Sequence, residues 1–323
     1  MIKPNHKALA YFFWFSQHRM DMFWKRWEGQ PPPWTMDGML NKYKLTNVYR
    51  ACDRVSQYLI REVIYHPEAA HFSAEDTLLR ILVFKVFNKP DTWQYLEEQL
   101  GEPLTIANYN PLRFKQWLLE LKEVQAIFNG AYIMAGSHQA YPNQRSKHGV
   151  WLEIIQQEFI EGAVLSKIAA AQSFQEVYQL LRNCSLIGGF LAYQYAIDFN
   201  YSEVIDFSEN SFTKAGIGAQ RGIQKCFEME PRYSYEDYVK YTQDHSEELR
   251  KRYGYTDFVP LFGRKMTLVD YQSGFCETDK ILRVKLPELN LKQRRIKQIY
   301  KPSSSKPIQY FFPPKWGINQ YLE

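Results

Sequence analysis

Apolar positions recur along this chain mostly at three- and four-residue intervals, the period of a helix face. Residues 5–28 read as an amphipathic aromatic helix built around Tyr11-Phe12-Phe13-Trp14-Phe15. The run Gln30-Pro31-Pro32-Pro33-Trp34 ends it, because proline has no N–H to give and pushes the residue before it out of helix geometry. A helical stretch is expected from Asp37 to about Tyr65, with Tyr49, Cys52, Val55, Ser56 and Leu59 sharing a face. Ala74 to Phe87 is almost continuously apolar and predicts a helix buried on most sides. Asp91 as N-cap, Gln94 three residues on and Gly101 past the end bracket a helix over 92–100. Residues 111–127 place Leu112, Phe114, Trp117, Leu118, Leu121 and Val124 mostly on one side. The polar, aperiodic stretch 136–149 predicts a loop. Further helices are expected at about 150–168, at 173–183 behind Ser173 and Glu176, and at 188–198. Residues 202–227 predict a short helix, a glycine turn and another helix, and Ser234 caps a helix over 235–252. The stretch 255–280 fits no single pattern, and the proline-spaced end (Pro287, Pro302, Pro307, Pro313, Pro314) predicts extended chain. With no internal repeat, no βαβ alternation and at most two strands, the fold class is mainly α.

Composition narrows the class. The chain has 323 residues, 45% apolar and 23% charged, which is ordinary for a globular protein. The 16% aromatic share has two readings: rings filling a core, or rings on which bases stack. The cysteines Cys52, Cys184, Cys226 and Cys276 are scattered with no CxxC pair, against a zinc site or a disulfide scaffold. The histidines show no metal spacing, so neither a metal nor a cofactor is expected. The N-terminal aromatic run falls short of the roughly 20 apolar residues of a spanning helix. It also lacks a signal-peptide cleavage site, so a cytoplasmic protein without a membrane partner is expected. The net charge of +5 is uneven: from Ile281 onward nine Lys/Arg against two Glu give +7, leaving −2 for the rest. The expected organisation is an N-terminal aromatic helix over 1–33, a helical domain over 34–280 and a basic arm over 281–323. Such an arm either meets phosphate backbones or is a solvated tail.

Four segments carry candidate chemistry. Gly216-Ile-Gly218-Ala-Gln-Arg221-Gly222 is one residue longer than the dinucleotide fingerprint, and no Walker A sequence occurs in the chain. A helix–Gly-x-Gly–helix turn can hold one phosphate on free backbone N–H groups, helped by Arg221 and Lys225; alternatively its glycines only permit a tight turn. Asn47, Arg50, Asp53, Arg54 and Gln57 form a polar cluster in an otherwise apolar helix, either a site or a surface patch. Gln194 and Asp198 lie one turn apart and share a face with Phe190. A glutamine can read a base edge and an aspartate can act as a base; the plainer reading is a core helix with Asp198 facing solvent. Gln272, Cys276, Glu277 and Lys280 cluster in the fourth segment, where Cys276 has no evident histidine partner for nucleophilic work.

Together these segments resemble a known family. The run Lys44-Leu-Thr-Asn47-Val-Tyr-Arg50-Ala-x-Asp53-Arg54-Val-Ser-Gln57 is similar to the opening of the 5-hydroxymethyluracil DNA kinase helical domains and the related alpha-glutamyl/putrescinyl thymine pyrophosphorylases. Phe84-Lys-Val-Phe-Asn88-Lys-x-x-Thr92-Trp93, Gly189-Phe-x-Ala-Tyr193-Gln194-x-x-x-Asp198, Ala215-Gly-Ile-Gly-Ala-x-Arg221-Gly222-Ile and Gln272-x-x-x-Cys276-Glu277-x-x-Lys280 follow in the same order. One departure is Ile217, where the family often has proline.

The resemblance implies a helical fold related to helix-hairpin-helix DNA glycosylases, acting on DNA in which 5-hydroxymethyluracil replaces thymine, in a bacterial or phage-infected cell. In that chemistry the hydroxymethyl group is phosphorylated and an amine or amino acid then displaces the phosphate. Without a P-loop of its own, this chain fits the displacement step, or works beside a separate P-loop base kinase. A base-excising glycosylase and a non-catalytic DNA-binding module are the alternatives. The expected catalytic set is Asp53, Arg54, Gln194, Asp198, Gln272 and Glu277, converging on one cleft. Asn47, Arg50, Tyr193 and Lys280 are expected to bind substrate. Gly216, Gly218, Arg221, Lys225, Arg294 and Arg295 are expected to contact DNA, with the modified base flipped out.

Overall fold

In the computed structural model, which describes residues 1–130, 134–291, 296, 298–300 and 307–322, the chain forms fourteen α-helices and one two-stranded ribbon among the described residues. In chain order the helices are α1 (His6–Trp27), α2 (Gly38–Lys42), α3 (Arg54–Tyr58), α4 (Ala74–Phe87), α5 (Pro90–Leu100), α6 (Pro111–Val124) and α7 (Lys147–Ile154). There follow α8 (Val164–Ala169), α9 (Phe174–Arg182), α10 (Gly189–Phe199), α11 (Ile217–Cys226), α12 (Tyr235–Asp244), α13 (Ser246–Tyr253) and α14 (Leu268–Lys285). Strands β1 (Lys3–Pro4) and β2 (Phe227–Glu228) pair antiparallel. The fold is mainly α, as the periodicity predicts. The chain divides into two compact units: residues 1–53, 212–310 and 318–323 form the first, and 54–211 with 311–317 the second.

The first unit is organised around α14. Thr267 and Asp270 form a capping box at its start, satisfying N–H groups that a helix end leaves unpaired. Its face carries Tyr271 and Phe275 against Phe12 of α1, at ring-centroid distances of 5.6 and 4.8 Å. The approach needs Gly274, where an added Cβ would lie 2.6 Å from the Phe12 ring. On another side α14 packs on α11. A Cβ at Gly218 would stand 2.4 Å from Cys276 Sγ, and one at Gly222 would stand 2.1 Å from the Phe275 carbonyl oxygen. These two glycines, four apart, therefore let two helix backbones come close.

The second unit is built on α4. Ser73 and Asp76 cap it reciprocally, and Asn88 ends it in the left-handed region at φ 51°. Every residue from Leu78 to Phe87 is buried, including Arg80 and Lys85. Both charges are matched: Arg80 Nη1 meets Glu97 Oε1 at 2.8 Å and Lys85 Nζ meets Asp198 Oδ2 at 3.2 Å. Leu59–Ile64 and Ile155–Glu161 are π-helical continuations of α3 and α7. Residues 311–317 close the unit, with Phe312 wholly buried and Lys315 Nζ donating to the carbonyls of Ser202 and Ile205 at 2.8 and 2.7 Å.

Several expectations need correction. The stretch from Asp37 to Tyr65 is not one helix: α2 stops at Lys42 and the chain is irregular to a 3₁₀ turn at Arg50–Cys52. The N-cap of α5 is Lys89 with Pro90 behind it, not Asp91. The helix after Ser234 breaks at His245 into α12 and α13. No helix precedes the glycines of α11: from Tyr201 to Gly216 the chain is turn and irregular, so the predicted short helix of a helix–turn–helix hairpin is absent. The stretch 255–280, unassigned from sequence, contains most of α14, which runs to Lys285 across the expected start of the basic arm.

Candidate functional site

The irregular segment before Asp53 has a local cause. Asp53 accepts hydrogen bonds at one oxygen, Oδ1, from both the Asn47 backbone N–H (2.9 Å) and the Asn47 Nδ2 (2.8 Å). A side chain that pairs with backbone in this way competes with the helix ladder, and here it wins. Asn47 Nδ2 also donates to the Cys52 carbonyl at 3.0 Å, closing the loop. The second oxygen, Oδ2, receives no hydrogen bond among the described residues. Burial raises the Asp53 pKa; the Asn47 bonds and the Arg19 guanidinium oppose that rise without cancelling it. Arg19 in turn donates to the Thr46 carbonyl at 3.1 Å.

The neighbouring backbone N–H, that of Thr46, donates to Glu277 Oε2 at 3.3 Å. Glu277 also takes both contacts of Lys280 Nζ, at 2.6 and 2.8 Å. Burial alone would lower the Lys280 pKa, but the Glu277 carboxylate outweighs it and the ammonium is held above its ordinary value. Within the first unit, Asn47, Asp53, Glu277 and Lys280 thus form one connected polar network, with two carboxylates on successive backbone N–H groups. Gln272 lies 4% exposed on the same α14, with no hydrogen bond to its carboxamide among the described residues. Arg50 is buried in the 3₁₀ turn.

A second cluster in this unit gathers around Asp279, which burial alone would raise but which Arg283 and Lys225 hold below its ordinary value. Arg221 Nε lies 3.1 Å and Lys225 Nζ 2.9 Å from its carboxylate, and Arg283 completes the group. Lys225 is buried and also meets Asn290 Oδ1 at 3.4 Å, so its charge is used inside the unit instead of facing a phosphate. Arg221 keeps part of its side chain at the surface. Gly216 caps α11 without a side-chain hydrogen bond. Cys276 lies against the Gly218 site, and burial together with Glu277 pushes its thiol up to about 11, which keeps it protonated and poorly nucleophilic. Arg294 and Arg295 lie outside the described residues.

In the second unit, Tyr193, Gln194 and Asp198 are all buried on α10. Asp198 is wholly buried, not solvent-facing, and its carboxylate meets Lys85, whose Nζ also donates to Asn88 Oδ1 at 2.8 Å. A base so enclosed and paired is poorly placed to take a substrate proton. Arg54 is exposed at the start of α3. Of the expected catalytic set, Asp53, Gln272 and Glu277 fall in the first unit and Arg54, Gln194 and Asp198 in the second. Sequence reasoning passed over Arg19, Asp279 and Lys85 as site residues. Lys85 had a signal, a lone lysine in an apolar helix, since a charge there needs a partner. Among the described residues no group of His, Cys, Asp and Glu is arranged to hold a metal, and no helix is long and apolar enough to cross a membrane.

No solved structure matches the chain. A 5-hmdU DNA kinase of Bacillus phage SP10 is 24% identical over 213 residues, covering 62% of this chain and 33% of the phage protein. The chain thus matches about a third of the length of that curated relative. The family described as "5-hmdU DNA kinase, helical domain" matches residues 6–291, from the first residue of α1 to beyond the end of α14, and the chain belongs to that family.

Proposed function

We propose that this chain acts on DNA containing 5-hydroxymethyluracil and carries out the displacement step, joining an amine or amino acid to the exocyclic carbon of a phosphorylated base. The family match over 6–291 carries the substrate class. Asp53 suits the base of this reaction: one oxygen is fixed by Asn47, the other has no hydrogen bond among the described residues, and its pKa is raised toward working pH. In the step the amine nitrogen forms a bond to the methylene carbon, the carbon–oxygen bond to phosphate breaks, and the amine proton passes to Asp53. Phosphate departs with the electron pair. Lys280, held charged by Glu277, offsets negative charge on the leaving group. The first turn of α11 after Gly216, with Gly218 and Arg221, contacts the DNA backbone, joined by Arg294 and Arg295 of the basic C-terminal stretch.

A second reading comes from the phage relative: the helical part presents the base to a P-loop kinase that phosphorylates it. The deciding experiment is mass spectrometry of nucleosides after the protein is incubated with DNA bearing phosphorylated 5-hydroxymethyluracil and a mixture of amines and amino acids. Displacement adds the amine mass and releases phosphate. Free base in the supernatant would mean a glycosylase. Unchanged nucleosides with tight DNA binding would favour the kinase-presenting reading.

A further inference from the structure

Three arginines of this protein are matched by a carboxylate inside their own unit: Arg80 by Glu97, and Arg221 and Arg283 by Asp279. Arg19 and Arg26 differ. Both are half-buried on α1, and two helical turns, about 10 Å of axial rise, separate them on one face. Neither forms an ion pair among the described residues. Arg19 spends Nε on the Thr46 carbonyl, and its two Nη groups have no hydrogen bond among those residues. Arg26 lays the face of its guanidinium over the Trp34 ring at 5.0 Å, which leaves its N–H edge unused. The two charges act on each other: burial lowers the Arg19 pKa, the Asp53 carboxylate raises it and Arg26 lowers it again. Burial also pushes the Tyr310 hydroxyl up to about 12, while Arg26 and Arg19 oppose that rise. Arg19, Arg26, Asp53 and Tyr310 therefore lie in one neighbourhood of the first unit, with two cations to one carboxylate.

Like charges held on one face of a helix repel unless an anion joins them, and a phosphate monoester, with a charge of about −1.5 to −2, suits a pair of guanidinium groups. The planar fork of arginine also matches two phosphate oxygens at once. We propose that Arg19 and Arg26 bind the phosphate carried by the activated base: the Arg19 Nη groups donate to its non-bridging oxygens, Arg26 meets it from two turns along α1, and Asp53 lies beside it to take the amine proton. Arg19 is the better placed of the two, because its Nε is already anchored on the Thr46 carbonyl. Lys280 cannot hold the phosphate alone, since both contacts of its ammonium run to Glu277. As the carbon–oxygen bond breaks, the electron pair moves onto an oxygen that the guanidinium groups already face. The inference names what grips the leaving group, and so rests on the function proposed above.

The test reads binding, because Arg19 also acts on the Asp53 pKa and a rate would mix the two effects. It uses the full chain and two labelled duplexes that differ only in whether one 5-hydroxymethyluracil is phosphorylated. Backbone phosphates are common to both, so the ratio of the two affinities isolates the phosphate on the base. Wild type should prefer the phosphorylated duplex by roughly ten- to a hundredfold, the range of charge-assisted hydrogen bonds. Arg19→Gln should lose most of that preference and Arg26→Gln part of it, while Arg19→Lys, which keeps the charge without the fork, should recover some. If Arg19→Gln melts early, wild type alone carries the test: inorganic phosphate, added at constant ionic strength, should bring the affinity for the phosphorylated duplex down to that for the plain one. A wild-type preference kept by Arg19→Gln, or no preference in wild type, would overturn the inference. Amine transfer on the same phosphorylated duplex, read by mass spectrometry, tests the proposed function separately: transfer that proceeds without a phosphate preference sinks the phosphate site alone.

Discussion

Asp53 shows how one side chain acquires two different oxygens. Both Asn47 bonds fall on Oδ1, so the orientation of the carboxylate is fixed without using its second oxygen. Because burial raises its pKa, displacement should switch on as pH rises through a value above the ordinary carboxylate range. Asp53→Asn should abolish that limb of the pH–rate profile and lower kcat by roughly a hundred- to ten-thousandfold, the usual range for a general base. Unchanged kcat in stopped-time mass-spectrometric assays would remove Asp53 from the chemistry. Lys85 is the opposite case, a charge whose role is internal. Lys85→Met leaves Asp198 buried with its cation removed and should cost about 3–5 kcal/mol in urea unfolding. A buried carboxylate that has lost its cation has a raised pKa, so the folded variant binds protons more readily than the unfolded chain. Its stability should therefore recover as pH falls through that raised value. Lys85→Met combined with Asp198→Leu should be far less destabilised than Lys85→Met alone, since no buried charge remains.

At the scale of elements, the α11–α14 contact depends on two glycines meeting different atoms. Gly218→Ala places its Cβ against the Cys276 sulfur and Gly222→Ala against a backbone carbonyl. Each should destabilise by about 1–3 kcal/mol or somewhat more, the cost of overpacking. Cys276→Ala should rescue the first, since the next atom there is a Cβ at 3.5 Å, and should not rescue the second. Thermal melts of the two double variants check this, and equal rescue of both would contradict it. The contact also shows what the sequence made legible. Helix starts written in a few adjacent residues were readable, such as Ser173 for α9 and Ser234 for α12, as was the αL stop at Gly101. The glycines of α11 invited a reading as a phosphate-holding turn. Their packing role depends on Phe275 and Cys276, more than fifty positions away, and no local pattern announces a neighbour at that distance. The break between Lys42 and Asp53 was missed for a related reason. Apolar spacing continued through it, while a six-residue side-chain loop from Asn47 to Asp53 overrode the propensity. Asn47, Asp53, Glu277 and Lys280 were legible as residue types, whereas their joining through the Thr46 N–H was not.

For the molecule as a whole, the end of the chain is structural as well as basic. Phe312 is wholly buried in the second unit, and Lys315 caps carbonyls there. Phe312→Ala should cost that unit about 3–5 kcal/mol. Hydrogen exchange should quicken in residues 199–206 and leave α14 largely unaffected; equal quickening in both would mean that the two units unfold as one. The same division constrains how the chain assembles itself. The second unit lies almost entirely inside the sequence of the first, as an insertion between residues 53 and 212. Helix α1 leaves the ribosome more than two hundred residues before α14, the helix that covers Phe12. Until then the Phe12 face of α1 lacks its main cover, although Tyr253 and Phe262 emerge earlier to meet Phe13 and Trp24, while α4 and its neighbours can already close on one another. Folding should therefore show two phases: an early one from the local contacts of the inserted unit, and a slow one limited by bringing α1 back to α14. Arrested nascent chains ending before residue 212 should bind hydrophobic-surface chaperones through α1, and release should follow the appearance of α11 to α14. Protection of α1 in those shorter chains would show that it finds cover without its distant partner.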